Sequence, residues 1–266
     1  MADSTIVLVT GANSGIGYEA IKILLQSERK YTILLGGRDE GKINSAVETL
    51  KKEYSSSHST LEALHIDLAS DESITKAKDT VEDKYGRLDS LVNNAGVSMD
   101  ATVLAGKLTL REAWAMNWDI NVTGTHIATQ TFLPLLLKSK DPRIVFNTSG
   151  MSSLARCSDP NSPWVKYPEA GLPKPFSTMG YMSSKTGLNM VMVQWARVLK
   201  NDGVKVWAVS PGFLATNLGG RPELLKQMGA GDPSQGGRAL VGCVEGERDG
   251  EVGRVVNGFE EGVQDW

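Results

Sequence analysis

The sequence predicts an α/β fold, a parallel sheet with helices packed on both of its faces. Three observations predict it. Strand-like and helix-like segments alternate along the whole chain. Most strand segments are continuous apolar runs without in/out alternation, as expected when both faces of a strand are buried. The first strand also runs straight into a glycine-rich turn that opens a helix.

The elements follow in order. Ile6–Val9 reads as a buried strand, Thr10–Gly17 as the turn and Glu19–Ser27 as the first helix. Thr32–Leu35 and Leu61–Ile66 are the second and third strands, separated by a helix over Gly41–Tyr54. Asp71–Tyr85 is helical, and Leu88–Asn93 is a fourth strand ending in Asn93-Asn94-Ala95-Gly96. A long helical stretch, Leu110–Lys138, with room for an interruption, leads to the strand Arg143–Asn147. Leu154–Phe176 is rich in Pro and Ser and has no period, so it reads as a loop or lid. Helix returns over Gly180–Lys200 and strand over Val204–Val209, which Pro211-Gly212 ends. A last helix, Ser234–Val244, and a short strand, Gly253–Gly258, complete the pattern. No segment reads as a linker, so residues 1–266 are expected to form a single domain.

Composition narrows the function. With 28 Lys and Arg against 31 Asp and Glu, and no basic cluster, neither nucleic acid nor an anionic membrane is an expected partner. Cys157 and Cys243 have no zinc or redox spacing, and His58, His65 and His126 have no metal-ligand spacing, so no metal is expected. No apolar run approaches the roughly 20 residues of a membrane span. The N-terminal residues pass directly into a strand, leaving no room for a signal peptide, and a cytoplasmic location is expected.

The turn Thr10-Gly11-Ala12-Asn13-Ser14-Gly15-Ile16-Gly17 has GxxxGxG spacing at the first strand–helix junction. Free N–H groups and the positive end of the helix dipole suit a dinucleotide diphosphate there, and glycines let the backbone approach it. The end of the second strand reads the adenosine ribose, and it carries Gly36-Gly37-Arg38-Asp39. Arg38 offers a planar fork for a 2′-phosphate and favours NADP over NAD, although an ion pair with Asp39 or Glu40 is its other available role. Asp67 and Leu68, beyond the third strand, are placed to border the adenine, and Asn94, Ala95 and Gly96 lie at a strand's carboxyl end, where ligands sit.

Tyr181 and Lys185 are spaced i, i+4 at the start of a helix, so phenol and ammonium share one face. A nearby cation stabilises phenolate and lowers the phenol's pKa from its ordinary value near 10. Tyr181 can then exchange a proton with a substrate oxygen. Ser149, directly after a strand, is placed to donate a hydrogen bond to the same oxygen. Asn121 is a polar residue in an apolar helical stretch, suited to hold a water or a main-chain carbonyl near Lys185.

The ordered set TGANSGIG, Arg38, Asp67, NNAG, Asn121, Ser149, YMSSK and PGFLAT resembles the short-chain dehydrogenase/reductase family over essentially the whole chain. The resemblance implies a Rossmann-type doubly wound fold with a seven-stranded parallel sheet. It implies that Asn121, Ser149, Tyr181 and Lys185 form a catalytic tetrad, and that Lys185 also bonds the nicotinamide ribose. It further implies that the stretch Pro211, Gly212 to Thr216 contacts NADP(H).

The connection from Ser149 to Tyr181 is longer than in compact members of that family. Its carbonyl reductases carry a still longer insertion there, which covers a dimerisation face and leaves them monomeric. A monomer is therefore consistent with this sequence, with a homodimer or homotetramer open. Residues 154–176 are expected to act as a lid or insertion and residues 213–233 as the substrate loop. Trp164, Tyr167 and Phe176 are candidates to wall an apolar pocket, with Asp100–Lys107 a further specificity segment. The reading that follows is hydride transfer from NADPH to a small carbonyl substrate, with Tyr181 as proton donor and reduction as the favoured direction. Two rivals are an imine reductase or cyclase on the same fold, and a non-catalytic NADP-binding regulator. The intact Tyr181–Lys185 pair weighs against the last.

Overall fold

A computed structural model describes residues 4–162, 165–220 and 222–266. Seven strands, β1 (Thr5–Val9), β2 (Tyr31–Gly37), β3 (Thr60–His65), β4 (Ser90–Asn93), β5 (Arg143–Asn147), β6 (Lys205–Ser210) and β7 (Val255–Asn257), form one sheet in the order β3-β2-β1-β4-β5-β6-β7. Every pairing is parallel. The expected Rossmann-type arrangement is therefore what the chain adopts.

Helices cover both faces. In chain order the helices are α1 (Gly15–Gln26), α2 (Glu40–Glu53), α3 (Asp71–Tyr85), α4 (Asp100–Leu104), α5 (Leu110–Trp118), α6 (Thr125–Leu136), α7 (Leu154–Ser158), α8 (Met179–Val198), α9 (Pro222–Gln227) and α10 (Pro233–Glu245). Successive strand residues point to opposite faces, so an unbroken apolar strand feeds two cores at once. Leu8, Leu91, Ile144 and Val206 face Phe132, Leu188 and Met192 of α6 and α8. Val7, Val9, Val145 and Trp207 face Ile21, Leu24 and Leu240 of α1 and α10. Full burial of a Leu or Val side chain stabilises by about 1.5–3 kcal/mol, so these two layers dominate the fold.

The long helical stretch departs from expectation in an informative way. α5 and α6 are joined without a break by a wide, π-type turn over Asp119–Gly124, which contains Asn121. The Thr125 hydroxyl donates to the Ile120 carbonyl, five residues back, at 3.1 Å. Such bulges re-aim side chains and recur at functional sites. Three segments read as loops instead contain short helices, α4, α7 and α9. Each is five or six residues long, too short for periodicity to show. No helix among the described residues is long and apolar enough to cross a membrane.

Candidate active site

The strand order reverses between β1 and β4, and a cleft opens beyond their carboxyl ends. Gly11 takes φ +62°, and a Cβ there would stand 2.7 Å from Ala95 Cα, so the turn needs glycine. The Asn94 side chain donates to the carbonyls of Thr10 (2.9 Å) and Gly11 (3.1 Å). The Thr10 hydroxyl accepts from the N–H groups of Asn94 (3.1 Å) and Ala95 (3.0 Å). Asn147 at the end of β5 donates to Asn94 Oδ1 at 2.9 Å. The Asn94-Ala95 stretch thus ties three strand ends into one floor. Ser14 gives α1 no side-chain cap, which leaves its first-turn N–H groups available to an anion such as a diphosphate.

One cavity of about 680 Å³ runs along this floor. Gly11, Asn13, Ser14, Gly15, Ile16, Arg38, Asp67 and Leu68 line one end of it, and Asn94, Ala95, Gly96, Pro211, Gly212 and Thr216 the middle. Ser149, Tyr181 and Lys185 line the far end. Thr10, Gly17 and Asn121 stand one layer behind the wall, where they hold it in place rather than face the cavity. At the Arg38 end, Asp39 does not pair with its neighbour. Its carboxylate instead caps α2 through the Lys42 N–H (3.0 Å) and pairs with the Lys42 ammonium at 3.6 Å. That leaves the exposed Arg38 guanidinium without an ion pair among the described residues, which fits a phosphate-bearing dinucleotide.

At the other end, Tyr181 and Lys185 are 8% and 4% exposed. The Ser149 hydroxyl hydrogen-bonds the Tyr181 phenol and holds its pKa down, but burial is the larger effect and pushes it up to about 12. Burial likewise pushes the Lys185 ammonium down to about 8. From the i, i+4 spacing, Lys185 is expected to draw the phenol's pKa toward neutrality. In the structure its Nζ lies 5.9 Å from the Tyr181 ring centre and donates to the Asn147 carbonyl at 2.7 Å. Desolvation outweighs the cation, because a phenolate would be as badly solvated as the ammonium.

Asn121 is fully buried and does not hydrogen-bond Lys185. Its amide donates to Val97 O and Ser184 Oγ, both at 2.9 Å, and its Oδ1 accepts the Val97 N–H at 2.8 Å. The π-type turn aims it, and its work is to tie β4's exit to α8.

Sequence reasoning missed a polar network under Ser149. Thr148 Oγ1 donates to Asn189 Oδ1 (2.6 Å), Asn189 Nδ2 to Ser152 Oγ (2.9 Å), and Ser152 Oγ to the Ser149 carbonyl (2.6 Å). Gln264 near the C-terminus donates to Ser152 Oγ at 3.2 Å. Asn189, four residues beyond Lys185 on the same helix, was the available signal.

Tyr167 and Phe176, expected to wall the pocket, are 75% and 48% exposed and stand outside it. Trp164 lies outside the described residues. The apolar wall comes instead from Val97, Met151, Phe213, Leu218 and Leu225. The loop bearing the last three is closed at its base by hydrogen bonds between Ala215 N and Gly231 O and between Gly231 N and Phe213 O, each 2.9 Å.

Residues 5–159 match the family model described as short chain dehydrogenase. The chain is 46% identical to the short-chain dehydrogenase/reductase tropE of Talaromyces stipitatus, with 96% of each chain covered. It is 45% identical to the short-chain dehydrogenase/reductase eupG of a Phoma species, over 92% of this chain and 91% of that one. Among solved structures it is similar to the NADPH-bound carbonyl reductase from chicken fatty liver. There the TM-score is 0.78 at 22% identity, covering 99% of this chain and 100% of the other.

Proposed function

The chain belongs to the short-chain dehydrogenase family of oxidoreductases, and on that premise we propose that it is an NADP(H)-dependent reductase of a small organic carbonyl compound. One observation carries the reading. A buried phenol hydrogen-bonded by Ser149 and a buried ammonium meet at one end of a cavity whose other end holds a glycine turn and the unpaired Arg38.

On this reading Arg38 holds the 2′-phosphate, the Gly11–Gly17 turn the diphosphate, and Asp67 and Leu68 the adenine. Asn94–Gly96, Pro211, Gly212 and Thr216 hold the nicotinamide half, with Lys185 on its ribose. NADPH, when bound, supplies the hydride that goes to the carbonyl carbon. The substrate oxygen gains a bond to hydrogen, and Tyr181 is its proton donor. A phenol whose pKa is pushed up to about 12 stays protonated throughout the neutral range, as an acid for reduction must. Ser149 donates a hydrogen bond to the same oxygen as negative charge gathers on it. Lys185 supplies the positive charge that steadies the tyrosinate left behind. Residues 154–176 are the lid segment and residues 213–233 the substrate loop of this reading, and Asn121 fixes the geometry from behind. The whole of residues 1–266 acts as one NADP-binding domain.

The test is NADPH oxidation across ketones, aldehydes, quinones and imines, with products identified. Tyr181→Phe should lower turnover by roughly 10²- to 10⁴-fold while NADPH binding is retained. Undiminished turnover in that variant refutes the assignment.

A further inference from the structure

We propose that Asp100 is a positioning residue for Tyr181, its buried carboxylate capping the helix that carries the phenol and locking it to the helix that carries Asn121. The inference rests on the reductase reading above.

The first N–H groups of any helix need acceptors from outside it. Thr178, the residue before α8, provides no side-chain cap. The acceptors come instead from Asp100, at the start of α4 and far away in sequence. Oδ1 accepts the Gly180 N–H at 2.8 Å, and Oδ2 accepts the Tyr181 N–H at 3.0 Å. The residue capped is thus Tyr181 itself.

Asp100 is 8% exposed and is held in turn by Asn117, whose Nδ2 donates to Oδ2 at 3.0 Å. Asn117 Oδ1 accepts the Met99 N–H at 3.0 Å, so the amide clasps the short segment from both sides. Gly180 is part of the device. A Cβ there would stand 3.0 Å from Asp100 Oδ1 and 2.8 Å from Asn117 Nδ2, too close for any other residue without displacing the carboxylate.

The same segment carries Val97, whose N–H and carbonyl both bond Asn121. Residues 97–100 therefore register α8 and the π-type turn against each other through two independent pairs of hydrogen bonds. A displacement of about 1 Å at a reacting group costs on the order of 10²-fold in rate, and this is the geometry that prevents it.

The carboxylate also sets charge. Among the described residues, Lys185 on α8 and Asp100 on α4 are charged groups beside Tyr181, while the Ser149 hydroxyl that meets its phenol and the neighbouring Asn117 and Asn121 are neutral. A negative charge at this helix N-terminus cancels the positive end of the helix dipole. Both effects favour the neutral phenol, the form a proton donor needs.

The experiment uses the full chain carrying Asp100→Asn, which keeps shape, and Asp100→Ala, each with NADPH and the best carbonyl substrate. The expected result is a kcat lower by roughly 10- to 100-fold, with the NADPH dissociation constant within about threefold of wild type. With NADPH deuterated at the transferred position, the isotope effect on kcat should rise.

A second readout needs no turnover. It is the ionisation midpoint of Tyr181, taken as the ultraviolet difference between each protein and the same protein with Tyr181→Phe. Asp100→Asn should lower it by about one pH unit. Wild-type kcat, an unchanged midpoint, or a loss of NADPH affinity in step with kcat would each overturn the proposal. A wild-type protein that oxidises no NADPH on any substrate refutes the reductase reading alone, and the midpoint then decides the role of Asp100.

Discussion

Lys185 donates from Nζ to the main-chain carbonyl of Asn147 at 2.7 Å, and no carboxylate among the described residues pairs with it. A buried ammonium held by a carbonyl alone is poorly compensated, which is why its pKa falls to about 8. The cation is present below that value and lost as pH rises through it. Reductase kcat/KM should therefore fall above about pH 8, long before the phenol itself titrates. Lys185→Arg, which does not titrate in this range, should show a lower plateau with the alkaline limb displaced upward. A pH profile of the two proteins is the check.

The same residue predicts a stability effect of opposite sign to most core changes. Its folded pKa of about 8 lies below the unfolded 10.5, so between those values the unfolded chain binds the proton more readily. The cost of burying the cation is full below about pH 8 and vanishes above about 10.5. Replacing it by Met removes that cost and loses one hydrogen bond, a net gain of about 2 kcal/mol near neutrality. Urea unfolding should show Lys185→Met more stable than wild type near neutral pH, with the margin shrinking toward pH 10.

On the proposed reading, Arg38 should decide which dinucleotide the cleft prefers. Arg38 lines the cavity while Asp39, its neighbour in sequence, is engaged with Lys42. A charge-assisted contact of this kind contributes about 1.5–3 kcal/mol. Arg38→Ala should weaken NADPH by roughly 10- to 100-fold and leave NADH within a few-fold, as measured by fluorescence titration of both.

The sheet, its helices and the grouping of Ser149, Tyr181 and Lys185 at one cleft were legible in sequence because each sits in a local pattern. Apolar runs mark the strands, and i, i+4 spacing places Tyr181 beside Lys185. What stayed hidden depends on contacts between distant segments. Nothing near Asp100 announces that its carboxylate caps a helix some 80 residues later. Burial reversed the expected pKa of Tyr181, since desolvation follows from packing that no motif records. Tyr167 and Phe176 misled because an aromatic in an irregular segment carries no periodicity to say which way it faces.

The π-type turn gives a final prediction. Gly124 closes that turn where the helix crosses Leu68, and a Cβ on Gly124 would overlap the Leu68 carbonyl oxygen. Any shift would reach the cleft, since Leu68 lines it and Asn121, one turn earlier, holds Val97. The carbonyl is backbone and has no rotamer to escape into, so Gly124→Ala must force the helix and the Leu68 segment beyond β3 apart. Overpacking of this kind costs about 1–3 kcal/mol. The variant should melt several degrees lower and bind NADPH more weakly, whereas Ala in place of the exposed Gly250, which lies outside the cavity and has no atom within 4 Å, should do neither. Equal melting temperatures for the two variants would mean that the wide turn has another way to relax, and that its contact with Leu68 does not set the position of Asn121.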